Sequence, residues 1–111
     1  MIEVRHYVTL AGKDVFDDWL SKLADAQAQA KVATRINRLA VGNLGDCKPL
    51  RQGLCEMRID WGPGYRVYYA MLWSACVLLL CGGDKRKQSS DIDRALEFLR
   101  DYKERTGIHE K

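Results

Sequence analysis

The strongest constraint on the fold of this chain is one short run in its second half. Residues 75–81 read Ala-Cys-Val-Leu-Leu-Leu-Cys and lie within an uncharged stretch, residues 71–83. That stretch is too short to cross a bilayer, which takes about 20 residues. A run this short and this apolar predicts a central β-strand that is buried on both of its faces. The rest of the chain must then supply neighbouring strands and helices to cover it.

Periodicity on both sides of this run supplies those elements. Alternation predicts a strand over residues 2–8, and helical spacing predicts helices from residue 14, over residues 26–40 and over residues 90–107. Strands are predicted over residues 54–60 and 65–72, a loop over residues 43–53, and Gly82-Gly83 is expected to end the central strand. Ser90 is predicted to cap the last helix. The order β-α-α-β-β-β-α predicts one α+β domain over residues 1–111, with a small antiparallel-type sheet, an N-terminal helical hairpin and a C-terminal helix.

Charge is distributed unevenly along the chain, although its formal net value is only +3. The middle of the chain holds most of the excess of basic over acidic residues. The basic residues there are Lys31, Arg35, Arg38, Lys48, Arg51, Arg58, Arg66, Lys85, Arg86 and Lys87. A basic centre between mildly acidic ends fits a polyanion or an acidic partner, and it equally fits an ordinary solvated surface.

Cysteine and histidine positions argue against a metal centre. The four cysteines, at positions 47, 55, 76 and 81, form no Cys-x-x-Cys pair, and His6 and His109 are far from them in sequence. We therefore expect no metal site and no cofactor, and free reduced thiols of the kind found in the cytoplasm. The first residues lack the apolar stretch of a signal peptide. The expectation is a soluble cytoplasmic protein without a membrane partner.

A hairpin between the strands over residues 54–60 and 65–72 predicts an unusual pairing of like charges. If the turn is centred on Gly62, Arg58 faces Arg66 across the strands and Glu56 faces Tyr68. Directly opposed like charges are destabilising, so either Glu56 or a bound anion must compensate them. The sequence allows two interpretations. One is a ladder of salt bridges between Glu56 and the arginines, and the other is a site for an anion.

A second basic feature follows the central strand. Residues 82–87 read Gly-Gly-Asp-Lys-Arg-Lys and place Lys85, Arg86 and Lys87 just before a helix N-terminus, a position that favours anions. Lys48 lies on a loop predicted nearby, and Tyr68 or Tyr69 is available to stack on a base. These residues predict a concave basic site. The absence of a His pair, carboxylate cluster or Cys/His couple suits RNA as the substrate, because RNA carries its own nucleophile in the 2′-OH.

Four blocks of residues 39–91 resemble one known group of proteins. They are Gly-Asn-Leu-Gly-Asp-Cys-Lys-Pro-Leu (42–50), Glu-Met-Arg-Ile-Asp (56–60), Gly-Pro-Gly-Tyr-Arg-Val-Tyr-Tyr (62–69) and Leu-Leu-Leu-Cys-Gly-Gly-Asp-Lys (78–85). The chain is similar to the addiction-module killer proteins of the RelE/ParE-like toxin superfamily, HigB-like type II toxins, and its predicted element order agrees with theirs.

The resemblance implies the toxin of a two-gene toxin–antitoxin module. Many relatives cleave mRNA, often on the ribosome, and are neutralised by a helix-turn-helix antitoxin. Their functional basic residues match Arg58, Arg66 and Lys85 here, while residues 88–91 hold no tyrosine or histidine at the late position that some relatives use.

On this hypothesis Arg66 holds the scissile phosphate, Arg58 and Lys85 stabilise the developing charge, and Glu56 or a lysine transfers protons. Lys48, Tyr68, Arg86 and Lys87 bind RNA. ParE-type relatives inhibit DNA gyrase instead, and a non-toxic nucleic-acid-binding module is a third alternative. The oligomeric state stays open.

Overall fold

The order of elements contains two short additions to the prediction, a strand over Cys47–Pro49 and a 3-10 turn. The computed structural model describes residues 1–108, and residues 109–111, including His109, lie outside the described part. In chain order the elements are β1 (Glu3–His6), α1 (Val15–Ser21), α2 (Ala26–Ala40), β2 (Cys47–Pro49), β3 (Leu54–Ile59), β4 (Tyr65–Trp73), β5 (Cys76–Asp84) and α3 (Gln88–Thr106), with a 3-10 turn (Lys85–Lys87) before α3. The α+β class is confirmed. Strand β2 lies inside the predicted loop, and its Pro49 is tolerated because β2 is an edge strand.

The five strands form one mixed sheet in the order β1-β5-β4-β3-β2. Strands β2 to β5 pair antiparallel, whereas β1 pairs parallel with β5. The antiparallel prediction is therefore wrong for β1, because the long connection between β1 and β5 allows a parallel crossover that local sequence does not reveal. Strand β5 lies between β1 and β4 and is buried along residues 76–83, which confirms the central strand.

Strand β5 also continues through the two glycines that were expected to end it. A Cβ atom on Gly82 would lie 2.3 Å from Cε3 of Trp19, and a Cβ on Gly83 would lie 1.9 Å from Oδ2 of Asp91. Trp19 belongs to α1 and Asp91 to α3. The glycines are therefore needed where one helix side chain presses on each face of the strand, and the prediction that they terminate it is wrong.

Aspartates cap the first two helices. Asp14 Oδ1 accepts a hydrogen bond from the Asp17 amide at 3.0 Å, and Asp25 Oδ1 accepts one from the Gln27 amide at 2.9 Å. The third helix differs from its prediction, because Ser90 lies inside α3 and its hydroxyl donates to the Lys87 carbonyl. The 3-10 turn runs directly into α3, so the helix begins before the Ser-Asp pattern that predicted its cap.

The helices form one layer on each face of the sheet. Side chains of α1 and α2 pack on one face, through Phe16, Trp19, Leu20, Val32, Ile36 and Leu39. Side chains of α3 pack on the other face, through Ile92, Ala95, Leu96, Phe98 and Leu99. Tyr68 faces α3, and Tyr69 faces α1 and α2. None of the helices described is long and apolar enough to span a membrane.

Candidate functional site

The β3–β4 hairpin places two arginines side by side. Arg58 of β3 pairs with Arg66 of β4, and Glu56 pairs with Tyr68, so the predicted register is confirmed. The side chain of Arg58 is 44% exposed, whereas that of Arg66 is only 11% exposed. The two cations therefore differ in environment although they face each other, with one near solvent and the other largely enclosed.

Glu56 compensates the enclosed arginine. Its carboxylate is buried, and Oε2 lies 3.5 Å from Nε of Arg66 and accepts a hydrogen bond of 2.8 Å from Nε2 of Gln88. Removing one member of a buried charge pair leaves an uncompensated charge, so these side chains depend on one another. The predicted salt bridge is confirmed for Arg66. Because Glu56 lies behind Arg66, its carboxylate is directed at the arginine and away from solvent.

Tyr68 is wholly enclosed by α3 and the sheet. Its exposed fraction is 0%, so the prediction that it stacks on a base is wrong. Burial, together with the nearby carboxylates of Glu56 and Asp91, raises the pKa of its phenol. Among the described residues, the Tyr68 hydroxyl, Arg66 Nε and Asp91 Oδ2 are buried without a hydrogen-bond partner. These groups form a polar interior directly beneath the arginine pair.

A cleft opens above this polar interior. It has a volume of about 380 Å³ and is lined by Asp46, Arg58, Ile59, Asp60, Gly62, Pro63, Gly64, Tyr65, Arg66 and Lys85. Arg58 Nη2 lies 3.4 Å from Oδ1 of Asp46, which covers part of its charge. Lys85 closes the cleft beside Gly64, where a Cβ would lie 3.7 Å from the Cβ of Lys85. The fold therefore unites Arg58, Arg66 and Lys85, as the sequence predicted.

The other predicted RNA-binding residues lie around the cleft and not on its walls. Arg86 is held by Asp84, whose Oδ2 lies 2.9 Å from Nη2 of Arg86, and this hydrogen bond lowers the pKa of Asp84. Lys87 is exposed at the end of the 3-10 turn. Lys48 is exposed on β2, where it pairs with Glu56 in the sheet register. The prediction that Lys48 helps to form the concave site is wrong, because β2 displaces it toward the sheet edge.

Three further residues belong to the site, and a local sequence pattern indicates only one of them. Tyr65 lines the cleft and offers a half-buried ring there, in place of Tyr68. Its position directly after the Gly-Pro-Gly turn could have indicated this role. Asp46, just before β2, contacts Arg58, and Gln88, the first residue of α3, contacts Glu56. Each contact joins residues that are too far apart in the chain for a local pattern to connect them.

The chemistry of the site is dominated by cations on a rigid sheet. Across residues 1–108 no histidine lines the cleft, and no group of three His, Cys, Asp or Glu side chains is placed to hold a metal ion. Among the described residues the four cysteines are free thiols, as expected. Burial raises the pKa of Cys81 to about 12, so this thiol stays protonated at neutral pH. The site is suited to binding an anion and to stabilising negative charge.

Over residues 1–108, fold and cleft together define a small α+β protein with a five-stranded mixed sheet, three helices and a cleft lined by three cations and two carboxylates. The chain belongs to the same family as an uncharacterized protein of Haemophilus influenzae (strain ATCC 51907 / DSM 11121 / KW20 / Rd). The two are 52% identical over 80 residues, which are 72% of this chain and 81% of the relative. No family model matches the chain.

Proposed function

We propose that this protein is the toxin of a type II toxin–antitoxin module and cleaves mRNA without a metal ion. The observation that carries the proposal is the convergence of Arg58, Arg66 and Lys85 on one cleft at the end of the β3–β4 hairpin. Three cations around one concave site match a phosphodiester substrate. The resemblance of residues 39–91 to RelE/ParE-like toxins supports the same function.

The proposed reaction uses the nucleophile that RNA provides. The 2′-oxygen attacks the adjacent phosphorus, its proton passes to water, and the bond from phosphorus to the 5′-oxygen breaks. The products are a 2′,3′-cyclic phosphate and a 5′-hydroxyl that gains a proton. Arg66, held by Glu56 at 3.5 Å, orients the phosphate, while Arg58 and Lys85 stabilise the charge that develops on its oxygens.

The proposed partners follow from the resemblance. They are a helix-turn-helix antitoxin that neutralises the protein, mRNA, and the ribosome as the place of cleavage, all in the cytoplasm. A basic cleft of about 380 Å³ accommodates a short single-stranded segment better than a duplex.

A second candidate is inhibition of DNA gyrase without nuclease activity. The feature that favours it is the shortage of proton-transfer groups at the cleft: its lining has no histidine, Tyr68 is buried, and Glu56 is turned toward Arg66. A site that only binds anions would need none of these groups. The resemblance to RelE/ParE-like toxins supports this candidate too, because ParE-type members of that superfamily inhibit DNA gyrase.

The test is controlled expression of the chain followed by separate measurements of protein synthesis and DNA supercoiling. We expect protein synthesis to stop first, and Arg58→Ala to restore growth. Arg100→Ala is the matched control, because Arg100 is exposed on α3 and lies outside the cleft. Loss of supercoiling before loss of protein synthesis would support the gyrase function. Full toxicity of folded Arg58→Ala would refute the assignment of the site.

A further inference from the structure

A second basic groove lies between α2 and the β3–β4 hairpin. It has a volume of about 330 Å³ and is lined by Ala30, Lys31, Thr34, Arg35, Arg38, Ile59 and Asp60. Its cations come from one face of α2, where residues four and three positions apart project together. The helical spacing of these cations can be read from the sequence, but only the structure shows that they form the wall of a groove.

Two of the three cations of the groove are held in place by contacts that do not neutralise them. Arg35 donates to three backbone carbonyls, of Arg58 at 2.6 Å and of Leu44 and Asp46 at 3.3 Å each. Lys31 Nζ lies 4.4 Å from the ring centroid of Trp61, whose indole nitrogen donates to Asp25 at 2.9 Å. These contacts fix the side chains, and none of them pairs Lys31 or Arg35 with a carboxylate.

This groove adjoins the cleft of the proposed active site at the end of β3. Ile59 and Asp60 line both, and Arg35 is bonded to the backbone of Arg58, which lines the cleft. The combined surface carries six cations, Lys31, Arg35, Arg38, Arg58, Arg66 and Lys85, against the two carboxylates of Asp46 and Asp60. An excess of positive charge along two adjoining depressions is typical of a path for single-stranded nucleic acid.

We propose that the α2 groove binds the sugar-phosphate backbone of the RNA segment next to the cleaved phosphate. The proposal rests on the proposed ribonuclease function and extends it from one phosphate to a neighbouring subsite. Lys31 and Arg38 each contact a phosphate, while Arg35 supplies fixed positive charge between them. Asp60 lies where the groove and the cleft meet, and its negative charge repels the phosphates of the bound RNA.

The experiment compares two uncleavable 2′-O-methyl RNAs, of about 4 and about 12 nucleotides, within the range that single-strand sites occupy. Binding is measured by fluorescence anisotropy over a series of salt concentrations. For Lys31→Ala/Arg38→Ala we expect the log–log salt slope on the longer RNA to fall by about 1.4, or about 0.7 for each lost contact. The preference for the longer RNA should fall with it. Asp60→Asn should bind the longer RNA more tightly than the wild type.

Lys13→Ala/Arg100→Ala is the matched control, because it removes the same charge outside both depressions. It should keep the wild-type slope and the wild-type preference for length. If the control changes as much as Lys31→Ala/Arg38→Ala, the effect is one of net charge and the proposal is overturned. If the wild type binds RNA and Lys31→Ala/Arg38→Ala keeps the wild-type salt slope, the proposal that the α2 groove binds RNA is overturned, and the ribonuclease function is unaffected. Failure of the wild type to bind either RNA also overturns the groove proposal, whereas the ribonuclease function is decided by the expression test described above.

Discussion

Arg66 Nε lies 3.5 Å from Oε2 of Glu56, and the two side chains are only 11% and 1% exposed. The pair joins β4 to β3 diagonally, because Glu56 lies two residues along β3 from Arg58, the residue that faces Arg66. Glu56 thus offsets the repulsion that this register creates. Gln88, from the start of α3, donates to the same carboxylate oxygen and connects the pair to the helix layer.

We predict that Glu56→Gln destabilises the protein, because the amide keeps the shape of the side chain but leaves the Arg66 charge uncompensated. Breaking a buried ion pair costs about 3–5 kcal/mol, and the partial exposure of Arg66 places the expected loss near the lower end. The measurement is the free energy of unfolding in urea. Glu56→Gln/Arg66→Gln should lose less than the sum of the two single variants, and strict additivity would contradict the coupling.

Arg58→Ala should separate activity from stability. Its side chain is 44% exposed and its ion pair with Asp46 is at the surface, so we expect the unfolding free energy to change by no more than about 0.5 kcal/mol. Cleavage of RNA should fall by about 10²–10³, because a charge directed at the phosphate is lost. Asp46→Asn serves as the comparison, since it frees Arg58 and should not reduce cleavage.

The three cations of the 3-10 turn should differ in effect. Lys85→Ala should lower turnover most, because Lys85 alone among them lines the cleft. Lys87→Ala should weaken RNA binding, and Arg86→Ala should have the smallest effect because Asp84 already binds that guanidinium. Steady-state kinetics on each variant distinguishes these effects. Equal losses in all three would mean that the turn acts only through its net charge.

Gly83→Ala should be strongly destabilising, since its Cβ would lie 1.9 Å from Oδ2 of Asp91. Forced overpacking costs about 1–3 kcal/mol, measured here as a lower urea midpoint. Asp91→Ala/Gly83→Ala should recover part of that loss, because the clashing carboxylate is absent. A double variant less stable than Gly83→Ala would show that another contact requires the glycine.

The pH dependence of stability should carry a contribution from Asp91. Burial raises the pKa of its carboxyl in the folded state, so the folded protein binds this proton more tightly than the unfolded chain does. Stability from this group is therefore present below its unfolded pKa and is lost as the pH rises through the folded pKa. We expect Asp91→Asn to gain in unfolding free energy relative to the wild type as the pH rises from about 3 to about 6, within the titration range of carboxyl groups. The opposite trend would contradict the raised pKa.

Local sequence determined most of the elements and one register of this protein, although it did not predict β2. The bounds of α2 follow from its spacing and from Asp25 as its cap, and the pairing of Arg58 with Arg66 follows from the turn around Gly62. The central position of β5 follows from its apolar run. Each of these depends on residues close together in the chain, where periodicity and turn geometry act directly.

Only the tertiary structure decided which side chains of those elements reach solvent. Tyr68 shares a strand face with Arg66, yet α3 covers the tyrosine fully and leaves the arginine at the cleft. Gly82 and Gly83 suggested a loop, but Trp19 and Asp91, distant in sequence, press on them within the strand. Strand periodicity specifies the face of a residue, whereas its burial depends on where a remote helix ends, which no local pattern contains.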